Sequence, residues 1–330
     1  MKILKNISFK FLIPSLLLVV SCKTTRQVTT TQERPLIIKS GTIDVDLVET
    51  TPIVFNDEVY RFEYVRGKYY DNPTENSYFR FINRKTGKPT PSFAKGFHLG
   101  SAFEHQGTVY VTAVNKWDGE QIHIFASDDL EIWKHWQAFE LPGYGIFNTS
   151  LTWAEDQYVL MFEIGKPEEK AGERFTANFA ISKDLKTWEV LSADHNYAKD
   201  RYTAPHCLRY LDGYYYNFYL EAHNGYEMRV VRSKDLIHWD ASPFNPVLKA
   251  SAEDKKIANT KLTKAFQEKI ASAENRNNSD IDFCEFKGKL IINYSWGNQR
   301  GTEFLAEASF DGTLNEFLKG WFPNRNVKTP

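Results

Sequence analysis

Five titratable side chains are placed where this sequence could use them for acid–base chemistry. Asp280 and Asp282 fall two apart in Ser279-Asp280-Ile281-Asp282. In a β-strand that spacing puts both on one face, and two acids on an otherwise apolar strand need solvent, a cation or a partner. Glu163 and Glu221 close the β-prone runs Tyr158–Glu163 and Tyr214–Glu221. A carboxyl group beside apolar surface keeps its proton to higher pH, which suits a general acid. His206 follows Pro205, and an imidazole can pass a proton or bind a hydroxyl near neutral pH. Each has a plainer alternative: a turn cap for Asp280, a structural role for Asp282, edge salt bridges for the glutamates, a hydrogen-bonded core position for His206. If they converge, they supply a general acid and a general base. No nucleotide loop, H-E-x-x-H helix or G-x-S-x-G elbow is present, and the cysteines lack metal-type spacing, so neither an organic cofactor nor a metal is implied by motif.

Convergence needs a fold that gathers distant segments, and a repeat provides one. The phrase S-x-D-L-x-x-W begins at Ser127, Ser182 and Ser233, 55 and then 51 residues apart. Strand-rich repeats of about 40–50 residues are the mark of propeller blades. Five inner-strand openings align: Thr51–Phe55, Gly100–Glu104, Thr149–Trp153, Ala204–Tyr210 and Asp280–Phe286. Each is followed by a turn pair (Asn56-Asp57, Gln106-Gly107, Glu155-Asp156, Asp212-Gly213, Lys287-Gly288) and then a β-prone run. The expected fold is all-β, a five-bladed β-propeller whose inner strands start around one central pocket. Within the phrase, Ser and Asp are expected to bind backbone in the outer turn and Trp to pack between blades. Ser309-Phe310-Asp311-Gly312 reads as its remnant in the fifth blade. Before that blade the period turns helical over about 251–273, with Ala258, Leu262, Ala265, Phe266 and Ile270 on one face and Ser251/Asp254 resembling a capping box. This insertion would wall the pocket or cover the propeller's side.

The first 22 residues are a leader: Lys2, Lys5 and Lys10 precede the apolar run Phe11–Val20, and Ser21-Cys22 follow. Ending on Cys, it resembles a bacterial lipobox, with Cys22 lipidated; the alternative is an ordinary leader with an incidental Cys. Residues 23–44 read as a polar, Thr-rich tether and 45–330 as the propeller domain. The expected location is the bacterial cell envelope, at the outer membrane, cell surface or periplasm, with membrane contact through the lipid anchor only. Charge is balanced, 41 basic against 42 acidic residues, which gives no basic stripe for nucleic acid.

Five blades, S-x-D-L-x-x-W phrases and inner strands opening on Pro-containing motifs (Thr51-Pro52, Ala204-Pro205-His206) resemble the glycoside hydrolases of family 43 and its relatives in families 32, 62, 68 and 117. The likeness covers about residues 45–323. It implies hydrolysis of O-glycosyl bonds by carboxyl groups from separate blades, and it allows an axial calcium ion, as in some relatives, with no ligand set to name. The family's three carboxylates fall on Thr51, Asn148 and Thr203 here, none of which can do carboxylate chemistry. The resemblance then leaves Asp282 or Asp280 as base or water-positioning group and Glu221 or Glu163 as acid. His206 becomes a substitute acid or sugar ligand, since some relatives use a histidine.

Aromatics make up 15% of the chain. Most serve sheet packing, but Trp117, Trp153, Trp296, Tyr144 and Tyr202 sit near strand or loop ends where they could stack on sugars. His98, Asn148, Thr203, Arg201 and Trp296 are the expected substrate-binding residues, with loop arginines such as Arg201 suited to an anionic sugar. The expected function is an exo-acting hydrolase of the β-xylosidase or α-L-arabinofuranosidase type in plant or algal polysaccharide degradation, its partner an oligo- or polysaccharide. Two alternatives stay open: a non-catalytic glycan-binding lipoprotein, and phosphorylase or lyase chemistry on the same scaffold.

Overall fold

Five antiparallel sheets form the blades of a propeller in the computed structural model, which describes residues 34–66, 76–222, 225–301 and 303–323. The leader, Cys22 and the tether as far as residue 33 lie outside the described residues. Blade one comprises Thr51–Phe55, Glu58–Val65 and Tyr78–Asn83; blade two His98–His105, Thr108–Val114, Gln121–Ser127 and Lys134–Glu140. Blade three comprises Gly145–Ala154, Gln157–Lys166, Thr176–Ser182 and Glu189–Val190; blade four His206–Leu211, Tyr214–Glu221, Glu227–Ser233 and Trp239–Ala241, with Leu248–Lys249 also on its third strand. Blade five takes Asn277–Phe286, Lys289–Gly297 and Glu303–Asp311 from the end of the chain and its outermost strand, Ile38–Val45, from the beginning. The ladder runs from Ile38 opposite Ser309 to Val45 opposite Phe304 and closes the ring. Residues 38–44, read from sequence as tether, are therefore part of the propeller.

The repeated phrase does the local work expected of it. In blade two, Asp129 Oδ1 accepts from Glu131 and Ile132 N–H at 2.8 Å, and Ser127 Oγ accepts from Leu130 N–H at 2.9 Å. The turn forces Leu130, Leu185 and Leu236 to φ of 62–63°, a conformation unusual for Leu, and each of these leucines is buried. Each Trp then packs on the preceding blade: Trp133 on Phe93 at 3.9 Å, Trp188 on Phe139 at 5.9 Å, Trp239 on Phe179 at 5.7 Å between ring centres. In blade five a short helix, Leu314–Gly320, capped by Thr313 and Glu316, takes this place and buries Phe317 and Leu318.

At the hub neighbouring blades bind one another through small hydroxyls. Thr51 Oγ1 accepts from Ala102 N–H at 3.3 Å, Thr112 and Thr149 hydroxyls meet at 2.8 Å, and Ser150 Oγ accepts from Leu208 N–H at 2.9 Å. Thr51, at the family's first carboxylate position, is thus a strand-to-strand tie. The insertion before blade five is two pieces, a 3-10 turn at Ala252–Lys255 and a helix at Lys264–Ser272, not one continuous helix. The Ser251/Asp254 capping box forms, and the same Asp254 binds Lys39 at 2.7 Å, Tyr294 at 2.8 Å and Asn278 at 3.0 Å. The insertion covers the flank of blade five and contributes nothing to the hub cavity.

Candidate active site

A cavity of about 510 Å³ opens at the hub, lined by Glu49, Arg66, Leu99, Trp117, Phe147, Asn148, Phe175, Tyr202, Ala204, Pro205, Ser279, Asp280 and Gln299. Its two sides differ. Glu49, Arg66, Ser279, Asp280 and Gln299 come from blades one and five and are all polar. Leu99, Trp117, Phe147, Phe175, Tyr202, Ala204 and Pro205 come from blades two to four and are apolar or aromatic, with Asn148 at the seam.

Backbone irregularities aim the acids. Glu49, Leu99 and Asp280 all have left-handed φ, 48°, 54° and 53°, and Leu99 and Asp280 fall at register shifts in their inner strands. Such bulges re-aim side chains and gather at functional sites. The shift between Ser279 and Asp282 also breaks the period-two reading: Asp280 reaches the wide cavity, whereas Asp282 lines only the narrower one beneath it, where it is bound to Arg209.

Glu49 and Asp280 are close enough to perturb each other. Burial pushes Glu49 up to about 7, against the pull of Arg66, whose Nη1 donates to Oε2 at 3.1 Å; Asp280 and Glu163 add to the rise. Burial also raises Asp280, opposed by the Ser279 hydroxyl at 2.5 Å, by Arg66 and by the Glu49 N–H. Glu303 sits behind, fully buried, accepting from Gln299 N–H at 2.8 Å, and is pushed up to about 7 by burial.

The narrower cavity, about 30 Å³, shares Glu49, Leu99, Asn148, Pro205 and Asp280 with the wide one and adds His206, Asp282 and small hub residues. Behind its wall, the fully buried Glu163 meets His206 Nδ1 at 2.7 Å and accepts from Asn148 Nδ2 at 2.9 Å. Burial raises Glu163 well above the usual carboxylate range and lowers His206 to about 3. Burial therefore disfavours charge on both partners of this pair. Calcium on the axis would need roughly six to eight oxygens. The unpartnered atoms here are one nitrogen, His206 Nε2, and two oxygens, Asn148 Oδ1 and Thr50 Oγ1, while Glu49 and Asp282 are tied to arginines. This donor set does not suit calcium. Among the described residues no group of three or more His, Cys, Asp or Glu could hold a metal ion.

No protein-family model matches the chain, and no curated protein matches it. Solved structures do. An N-acetylgalactosamine deacetylase from F. plautii, in complex with blood group B trisaccharide, matches at TM-score 0.57 and 10% identity, over 91% of this chain and 100% of that one. The α-L-arabinofuranosidase Arb93A from Fusarium graminearum, with an iminosugar inhibitor, matches at 0.52 and 13%, over 83% and 96%. An exo-1,5-α-L-arabinanase from a bovine ruminal metagenomic library matches at 0.51 and 12%, over 80% and 93%. The chain shares their fold.

Within that propeller the residues singled out from sequence separate into three groups. Asp280, Glu163, His206, Asn148 and Asp282 gather at the hub. Glu221 and Arg201 do not: Glu221 accepts from Arg201 Nε at 3.0 Å and pairs with Arg229 at 3.4 Å on a different cavity of about 370 Å³, with Tyr197 and Trp239. The reason is strand parity. Phe218 and Leu220 belong to the core shared with blade five, so Glu221 faces away from it, whereas Met161 belongs to the core shared with blade four, so Glu163 faces His206. The third group is structural. His98 is fully buried between Tyr64 OH, 2.5 Å, and Ser77 Oγ, 3.3 Å. Thr203 is buried and donates to the Phe175 carbonyl at 3.1 Å. Trp296 is fully buried and donates to Thr42 Oγ1 at 2.8 Å. None of these three lines the hub cavity. Trp117 and Tyr202 do line it, but Trp153 and Tyr144 do not. Sequence reasoning missed Glu49 and Arg66. The available signal for Glu49 was an isolated acid in Leu47-Val48-Glu49-Thr50-Thr51-Pro52, just before the first inner strand.

Proposed function

We propose that this protein is an exo-acting glycoside hydrolase, of the β-xylosidase or α-L-arabinofuranosidase kind, working on fragments of plant or algal polysaccharide. The observation that carries this reading is the pairing of Glu49 and Asp280 in a cavity half walled by aromatic rings. Glycosidic cleavage needs one carboxyl group to protonate the leaving oxygen and another to activate water or attack the sugar. Glu49, at about 7, keeps its proton near neutral pH and is the general acid. Asp280, whose charge is supported by a hydroxyl, an N–H and Arg66, is the base. The negative charge of Asp280 favours a transition state with positive charge on the sugar. The aromatic side offers stacking surface for sugar C–H faces. The guanidinium lining the cavity, Arg66, is paired with Glu49, which favours a neutral sugar over a uronic or sulfated one. The fold neighbours named above, an arabinofuranosidase and an arabinanase among them, support carbohydrate as the substrate class. The leader ending at Cys22 supports export and lipid anchoring at a bacterial envelope, and nothing in the motifs calls for a cofactor.

The test is release of sugar from nitrophenyl pentosides and from xylo- and arabino-oligosaccharides. Release by the wild type that is lost in Glu49→Gln and in Asp280→Asn is the expected result. A second reading, a glycan-binding propeller without turnover, is favoured by Thr51, Asn148 and Thr203 at the family's carboxylate positions. Calorimetric binding with no release would establish it and end the hydrolase reading. Activity that depends on phosphate would assign a phosphorylase instead.

A further inference from the structure

Three buried polar atoms on the wall of the narrow cavity have no hydrogen-bond partner: Thr50 Oγ1, Asn148 Oδ1 and His206 Nε2. Buried polar groups are nearly always satisfied, so three orphans around one space mark an occupant. The space, about 30 Å³, exceeds the roughly 10–15 Å³ one water requires, and the wall offers the two to four polar partners a buried water takes. Asp280 and Glu49 line the same space and also the wide cavity above it.

The geometry points to this narrow cavity as the seat of the water that attacks the sugar, with His206 as its positioning residue and Glu163 as the group that fixes the histidine's tautomer. The inference rests on the hydrolase reading. Glu163 lies 2.7 Å from Nδ1, and its other oxygen accepts from Asn148 Nδ2 at 2.9 Å. With charge disfavoured on both buried partners, in this assignment Glu163 donates its proton to Nδ1, so that the imidazole's own proton is on the unpartnered Nε2 and points at the cavity. The water oxygen accepts from Nε2–H, and one of its protons is donated to Asn148 Oδ1. Its second proton is directed to Asp280. In the reaction the water oxygen forms a bond to the anomeric carbon as its proton passes to Asp280. The bond from that carbon to the leaving oxygen breaks, and the Glu49 proton moves to the leaving oxygen. Glu163 and His206 end the step as they began it. Return of the proton from Asp280 to Glu49 resets the site.

This assignment makes an uncommon prediction about Glu163. Glu163→Gln preserves both bonds, since the amide oxygen accepts from Asn148 and the amide nitrogen donates to Nδ1. Its kcat should stay within about threefold of wild type. Glu163→Leu removes the donor and frees the tautomer, and kcat should fall by about 100-fold, the cost of losing one well-placed donor, with KM little changed. His206→Phe should fall similarly, and His206→Gln, which can still present an N–H, should recover part of the loss. Thermal melts identify any variant that fails to fold. A crystal structure of the wild type should show an ordered water on His206 Nε2 and Asn148 Oδ1. Equal impairment of Glu163→Gln and Glu163→Leu, wild-type activity in His206→Phe, or a dry cavity overturns the assignment while leaving an active hydrolase in place. A wild type inactive on every glycoside ends the hydrolase reading itself.

Discussion

Replacing Glu303 by Gln should uncover a pH-dependent strain stored behind the acid pair. Glu303 is fully buried, with Gln299 N–H and Asn277 Nδ2 as its donors at 2.8 and 3.3 Å. Burial, with Asp280 and Glu49 nearby, raises its carboxyl from 4.5 to about 7. The folded protein thus holds a proton that the unfolded chain releases above about pH 4.5. The contribution to stability is present below that value and is lost as pH rises through about 7. At about 1.4 kcal/mol per tenfold difference the loss is about 3 kcal/mol. Gln fills the same space, keeps an acceptor and does not titrate. Relative to wild type, Glu303→Gln should therefore gain about 3 kcal/mol between about pH 4 and pH 8, or roughly 5–10 °C in Tm for a domain of this size. Parallel melts or urea titrations of both proteins across that range measure it. Other titrating groups, among them His98 and His206 with lowered pKa values, are common to both proteins and cancel in the difference. A difference that stays flat with pH refutes the claim that Glu303 is protonated in the fold.

Three further outcomes are expected. Arg66→Met removes the positive charge that holds Glu49 down, so the alkaline limb of kcat/KM, set by the general acid, should move to higher pH; a limb that stays or falls would separate Glu49 from that role. Trp133→Ala should cost about 3–5 kcal/mol, because the ring lies stacked 3.9 Å from Phe93 of the preceding blade; urea denaturation reads it, and a loss below about 1 kcal/mol would deny the inter-blade packing role. Glu221→Gln should leave turnover unchanged, since its carboxylate serves Arg201 and Arg229 away from the hub; a large fall in kcat would reinstate it in the mechanism.

Blade number, turn positions and the hub were legible because each is written locally. Paired turn residues such as Asn56-Asp57 adopt the left-handed φ of 48° and 59° that their types favour, and three copies of one phrase make the same turn. The site was legible only where no irregularity intervened. Asp280 and Asp282 obey period two on paper, but a bulge between Ser279 and Asp282 separates them, and one extra residue leaves no compositional trace. Glu163 and Glu221 lie on equivalent strands, yet they face opposite neighbours because a single-residue offset flips a side chain to the other face. Glu49 precedes its strand in a left-handed turn, where no periodic rule applies.

The ring's closure sets an order on the making of the molecule. Blade five needs both Ile38–Val45 and Glu303–Asp311, so an emerging chain carries its earliest strand unpaired through the synthesis of four complete sheets. Loop-closure entropy grows only logarithmically with length, so the long wait costs little free energy, but it exposes a strand edge open to the wrong partner. Asp254, through its bond to Lys39, becomes available shortly before the final strands and can hold that edge until they arrive. A chain released early would own most of the inner strands but no finished hub.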